Sequence, residues 1–208
     1  TLTDTASEIV RRMWTGFGGE TIHLGRIGWV RPFRPMRLAS ELLLSGGGRL
    51  RRAASSLSGP LDGLAMRLGR RYLDTRRPEC SAEPLRPQTM VETLPMVAGD
   101  LRLRPDYDAR FLEWLFRELA AVESRGTPVG YLIRDRAEKV LGWYVYYLRP
   151  GRVSQVLQIA ARERDVSGVL DHLFHHAQAH GSTAVRGRLE PHLVESLSSR
   201  NCVLHASG

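Results

Sequence analysis

Four histidines crowd one predicted helix, His172, His175, His176 and His180. His172 and His176 stand at i and i+4, the spacing at which two imidazoles on one helix face can share a zinc ion. His180 continues the row, while His175 points away from it. No HExxH accompanies them and no further Cys, Asp or Glu ligand is identified, so a solvated helix flank is the competing reading and no metal is expected. Nucleophilic chemistry has less to stand on. Cys80 lies in a proline-rich stretch without an adjacent His, and no GxSxG occurs. Gly16, Gly18 and Gly19 follow a helix rather than a strand, the wrong context for a dinucleotide loop, and Ser45-Gly46-Gly47-Gly48 lacks the lysine of a phosphate loop. Cys80 and Cys202 make neither a disulfide framework nor a CxxC; two ordinary thiols in a reducing cytoplasm are the expectation.

The elements that must position any chemistry can be read from periodicity. Ile9, Val10, Met13, Trp14 and Phe17 share one face of a helix over 5–17, with Thr5 and Glu8 at capping-box spacing. Glu20 to Val30 reads as a strand with a bulge at Gly25, ended by Pro32 and Pro35. Leu57, Leu61, Leu64, Leu68 and Tyr72 make an amphipathic helix, and five prolines punctuate the stretch from Pro60 to Pro95. Phe111, Leu112, Leu115, Phe116 and Leu119 mark the next helix. Three strands are predicted at Val129–Arg134, Leu141–Leu148 and Val153–Ala161, joined by hairpin turns. Val166, Val169, Leu170, Leu173, Phe174 and Ala177 stripe a helix from Asp165 to Gly181. A strand over Thr183–Leu189, a short helix opened by Pro191 and a strand from Cys202 complete the pattern. Tyr144, Tyr146 and Tyr147 make at least one strand face aromatic, as core or groove lining.

The whole is 208 residues, 42% hydrophobic and 25% charged, enough for one domain or two small ones. No apolar run reaches the ~18 residues of a membrane span. No signal peptide is visible, the chain reads as an excerpt, and a cytoplasmic location is expected. Net charge is +8, with Lys139 the single lysine. Twelve arginines from Arg26 to Arg77 face only Glu41, Asp62 and Asp74, so the basicity belongs to one segment. A solvated basic connector is the simplest reading. A nucleic-acid or anionic membrane surface is the alternative, but few aromatics interleave and no reader motif occurs, so no specific nucleic acid is expected.

Helix, antiparallel strands, helix, strand, helix, strand is the order of the GNAT acyl-CoA N-acyltransferase superfamily. Val129-Gly130-Tyr131 resembles one strand of that family and Leu141-Gly142-Trp143-Tyr144-Val145 the next. The resemblance implies an α+β chain, a mixed, mostly antiparallel sheet flanked by helices. It divides the chain into a closing part of a first GNAT-like unit (1–38), a basic helical and proline-rich connector (39–100) and a GNAT-like domain lacking its final strand (101–208). It also implies acetyl-CoA or another acyl-CoA as donor and an amine, small-molecule or polypeptide, as acceptor; a homo-oligomer is compatible with it. Pantetheine would pair with the strand Val153–Ala161 around Ile159 and Ala161. Pyrophosphate would sit on the turn before the long helix, at Arg164, Ser167 and Gly168.

The turn departs from the family pattern. Ser167 and Val169 occupy the two small-residue positions, Gly168 falls between them, and Glu163 and Asp165 flank the helix start. Carboxylates there suit the helix dipole but repel a diphosphate. A helix capped by its own Asp165, with no anion, therefore stands beside the acyl-CoA cradle. The helix after Pro191 lacks the tyrosine that the family often uses as an acid, leaving His192 and Glu195 as proton-transfer candidates. Two functions remain open: acyl transfer from acyl-CoA to an amine, and a non-catalytic GNAT-like module that has lost its CoA site and binds a partner.

Overall fold

The computed structural model describes residues 12–13, 15–17, 27–35, 37–38, 75–98 and 106–206. The helix expected over 57–72, most of the one over 5–17 and most of the basic segment lie outside them; Met13 and Phe17, placed on an apolar face, are exposed. The described elements are β1 (Ile27–Pro32), β2 (Ser81–Pro84), α1 (Pro87–Val97), α2 (Ala109–Ala121), β3 (Thr127–Arg134), β4 (Val140–Leu148), β5 (Val153–Ala161), α3 (Val166–Ala179), β6 (Ala184–Arg188), α4 (Val194–Ser198) and β7 (Val203–Ala206). All seven strands join one sheet in the order β2-β3-β4-β5-β6-β1-β7. Every neighbouring pair is antiparallel except β5–β6.

That sheet draws on all three segments of the expected division. β2 and α1 come from the stretch expected as a connector, yet β2 pairs with β3 along Ser81–Pro84, and Met90, Leu94 and Val97 of α1 are buried. β1 comes from the amino-terminal piece and lies between β6 and β7, bonded to both. The strand also continues through Pro32 rather than ending before it.

β4 is an interior strand, and its period-two pleat feeds two cores. Tyr144 and Tyr146 enter the layer under α3, with Trp29, Ile133, Leu170 and Phe174. Trp143 and Val145 enter the opposite layer, with Leu94, Leu112 and Leu132. Every apolar residue predicted for the α3 stripe is buried. On α2 only Leu112 is fully buried, and Phe111 instead stacks between Tyr107 and Trp114 near the surface. The Asp108 carboxylate caps α2 by accepting from the Phe111 amide at 2.7 Å.

The β5–β6 pair is where the sheet opens. Val153, Ser154 and Gln155 pair with Ala184, Val185 and Arg186, and the ladder stops there. Beyond that point β5 stays with β4 as far as Ala161, while β6 follows β1 as far as Arg188. A bulge at Leu157 sharpens the divergence: Val145 faces Gln158 and Tyr146 faces Val156, with Leu157 unmatched. The extra residue lets Val156 and Ile159, three apart, enter the same core layer. The closed end is pinned by buried hydroxyls, Ser154 Oγ and Ser182 Oγ at 2.8 Å, with the Arg149 amide donating to Ser154 Oγ at 2.9 Å.

Candidate functional site

α3 starts five residues after β5 ends, and α4 six residues after β6 ends, so the two helices flank the open end of the fork. At the fork itself the Gln155 amide bridges the strands. It accepts from Arg186 Nε at 2.6 Å and donates to the Val156 carbonyl at 3.2 Å. Ile159 and Ala161 lie on the β5 arm beside the opening, paired to Tyr144 and Gly142 of β4, with their side chains in the core.

The turn from Arg162 to Val169 is already occupied by the chain's own groups. The Arg162 carbonyl accepts from the amides of Asp165 and Val166, both at 2.9 Å, and the Gly168 amide donates to the Asp165 carbonyl at 3.2 Å. Asp165 does not cap α3 with its side chain, contrary to the expected self-capped helix. Its carboxylate instead lies 3.6 Å from both Lys139 Nζ and Arg164 Nε. Arg164 thus has a carboxylate beside it, and Arg162 Nε donates to the Met96 carbonyl. A Cβ on Gly168 would come 2.9 Å from Leu141 Cδ1. Close approach at Gly168 is thus used by a neighbouring side chain.

Across the mouth, α3 and α4 touch through polar groups that sequence reasoning missed. Ser167 Oγ and Ser196 Oγ are 3.2 Å apart. Arg200 forms a two-pronged pair with Asp171 at 2.7 and 2.9 Å, and donates to the carbonyls of Ser167 and Ser196 and to Ser199 Oγ. Nothing local in the sequence marks Arg200 among 29 arginines. Of the proton-transfer candidates, His192 is half-buried with Nδ1 3.8 Å from Glu190 Oε2, and Glu195 is exposed. The structure does not bring these two together.

The histidine row is not a solvated flank. The Tyr144 hydroxyl meets His172 Nδ1 at 2.9 Å and the Tyr146 hydroxyl meets His176 Nδ1 at 2.7 Å. Tyr131 packs on both rings, and His180 stacks on His176 at 4.0 Å. Burial, then the charge of neighbouring histidines, lowers His172 and His176 from 6.5 to about 4, and burial pushes the two phenols well above their ordinary value. Neutral rings and protonated phenols are the species that such hydroxyl–imidazole bonds require. Among the described residues no group of three or more His, Cys, Asp or Glu could hold a metal.

No family model and no curated protein matches the sequence. Solved structures do. Two structures of Saccharomyces cerevisiae N-myristoyltransferase with bound myristoyl-CoA, one also with inhibitors, align over 86% and 89% of this chain at TM-score 0.54, with 10% and 8% identity. A GCN5-related N-acetyltransferase from Anabaena variabilis aligns over 86% at TM-score 0.49 and 10% identity. This chain spans 47%, 49% and 37% of those proteins' lengths, in that order. The likeness shows a GNAT-like fold. No described helix is long and apolar enough to cross a membrane.

Proposed function

We propose that this chain is an acyl-CoA-dependent N-acyltransferase unit, passing an acyl group such as acetyl to an amine. The observation that carries the reading is the fork: β5 and β6 separate after Gln155 and Arg186, and β5 bulges at Leu157. A strand with an unpaired edge in a narrow opening offers amides and carbonyls to an extended amide-bearing arm such as pantetheine. The backbone of Ile159 and Ala161 would hold that arm, and Arg164, Ser167 and Gly168 would lie nearest the diphosphate. Bound acyl-CoA supplies the thioester: the amine nitrogen bonds to its carbonyl carbon, the C–S bond breaks, and the amine's proton must leave as the thiolate gains one. His192, with Nδ1 3.8 Å from Glu190 Oε2, would carry that proton. Holding the two substrates together accounts for much of the rate in such a reaction.

A second reading is favoured by a specific observation, the Ser167–Ser196 contact and the Arg200–Asp171 pair across the opening. If that contact persists, the domain is a non-catalytic module that packs or binds a partner. Calorimetry with acetyl-CoA separates the two. Micromolar binding that is lost in Gly168→Glu, with the thermal midpoint checked for both proteins, supports the enzyme. No binding at millimolar acetyl-CoA supports the module.

A further inference from the structure

Residues 75–80 run over the outer side of α3 as a strap held at both ends. At one end Thr75 donates from its amide and its hydroxyl to Gln178 Oε1, at 3.3 and 2.6 Å. At the other, Cys80 packs against the α3-side core and leads into β2. Between strap and helix lies a cavity of about 320 Å³, walled by Arg76, Arg77, Pro78, Glu79 and Cys80 on one side and by Leu141, Gly168 and Asp171 on the other. That volume is at the small end of ligand pockets.

The charges in this wall are not balanced against each other. Asp171 has both oxygens engaged by Arg200, and Glu79 pairs outward with Arg136 at 3.1 Å. Each carboxylate thus has a guanidinium from outside the cavity. Arg76 and Arg77 are exposed at its mouth with no carboxylate partner among the described residues. Pro78 restricts both its own backbone and that of Arg77, so the pair is presented on a constrained segment. The Cys80 thiol, raised by burial and by Asp171, stays uncharged and does not repel an anion.

From this arrangement we infer that the cleft between the strap and α3 is a binding site for a phosphate monoester, carried by a small molecule or a lipid headgroup and clasped by Arg76 and Arg77. Two guanidiniums match a dianion with three terminal oxygens, where one would satisfy a monocarboxylate. The inference goes beyond the acyl-CoA reading: the cleft touches the proposed diphosphate turn at Gly168, but no residue of β5 or β6 lines it.

The test is an amide-resolved NMR titration of the full chain with inorganic phosphate, against chloride at equal ionic strength. Saturable shifts on residues 76–80, Gly168 and Asp171 are expected, with affinity falling about tenfold or more in the R76Q/R77Q double variant. Both side chains are exposed, so the thermal midpoint should hold. A parallel arm measures binding to phosphatidylcholine vesicles with and without phosphatidic acid. A response only to free phosphate assigns a soluble ligand, and a response confined to phosphatidic acid assigns a headgroup, provided the double variant loses it. Silence in both arms, shifts that scatter over the arginine-bearing surface without saturating, or binding retained in R76Q/R77Q overturns the proposal. Arg76 and Arg77 lie outside the turn assigned to the diphosphate, so phosphate binding that R76Q/R77Q abolishes belongs to the cleft, and acetyl-CoA calorimetry repeated on that variant keeps the two readings apart.

Discussion

Arg200 is buried at 7% exposure and places all five of its N–H donors: two on Asp171, and one each on the carbonyls of Ser167 and Ser196 and on Ser199 Oγ. Removing one partner of such a pair leaves the other buried and unsatisfied. Arg200→Ala should therefore cost about 3 kcal/mol of stability, seen as a lower urea midpoint. Arg200→Lys should recover little, since an ammonium has three donors and no planar fork. A variant as stable as the parent would show that the clasp between α3 and α4 contributes nothing. The histidines predict a pH dependence with a definite sign. His172 and His176 fall from 6.5 to about 4 on folding, so between those values the unfolded chain binds protons that the folded chain does not. Stability is full above pH 6.5 and is lost as pH falls towards 4. After allowance for partial exposure the loss is about 1–2 kcal/mol per ring. Denaturation midpoints across that window should fall steeply in the parent and less in H172Q/H176Q.

The elements depend on a close approach and a bulge. On β6, a Cβ at Gly187 would meet Trp29 Cζ2 at 2.6 Å and Cε2 at 2.8 Å. That indole is fully buried and held by its Nε1–H donating to the Arg188 carbonyl at 2.8 Å. It cannot swing away, so Gly187→Ala should destabilise by about 1–3 kcal/mol, measured by thermal denaturation. The bulge at Leu157 is the other device, since it resets which residues of β5 face α3. Much at this scale was legible in the sequence. The apolar stripe of α3 and the short apolar, aromatic run of β4 are strong signals, and both elements form as expected within a residue or two. α1 was not legible, because Pro87 and Pro95 read as loop punctuation. Pro87 in fact opens the helix, where its missing N–H costs nothing, and Pro95 is tolerated inside its last turn.

For the molecule as a whole, one sheet built from the first, middle and last parts of the chain makes β1 a structural necessity. Trp29 packs edge-on against Phe174 of α3 at 5.8 Å, and Phe33 just beyond β1 packs on the same ring at 6.4 Å. Trp29→Ala should cost about 3–5 kcal/mol and should lower one shared unfolding transition. Two transitions by calorimetry, of which only one moves, would mean that β1 belongs to a separate unit.

Composition and periodicity determined which segments are helix or strand and which faces are apolar, and the order of those elements resembles that of an acyltransferase family. Those are local properties, written in spacings of two and of 3.6 residues. Tertiary structure alone decided that β1 fills the place beside β6, that β5 and β6 separate after three pairs, that Arg200 reaches Asp171, and that His172 and His176 meet tyrosine hydroxyls. Each of these joins residues far apart in the chain. Their partners depend on how the layers stack, which no local spacing encodes.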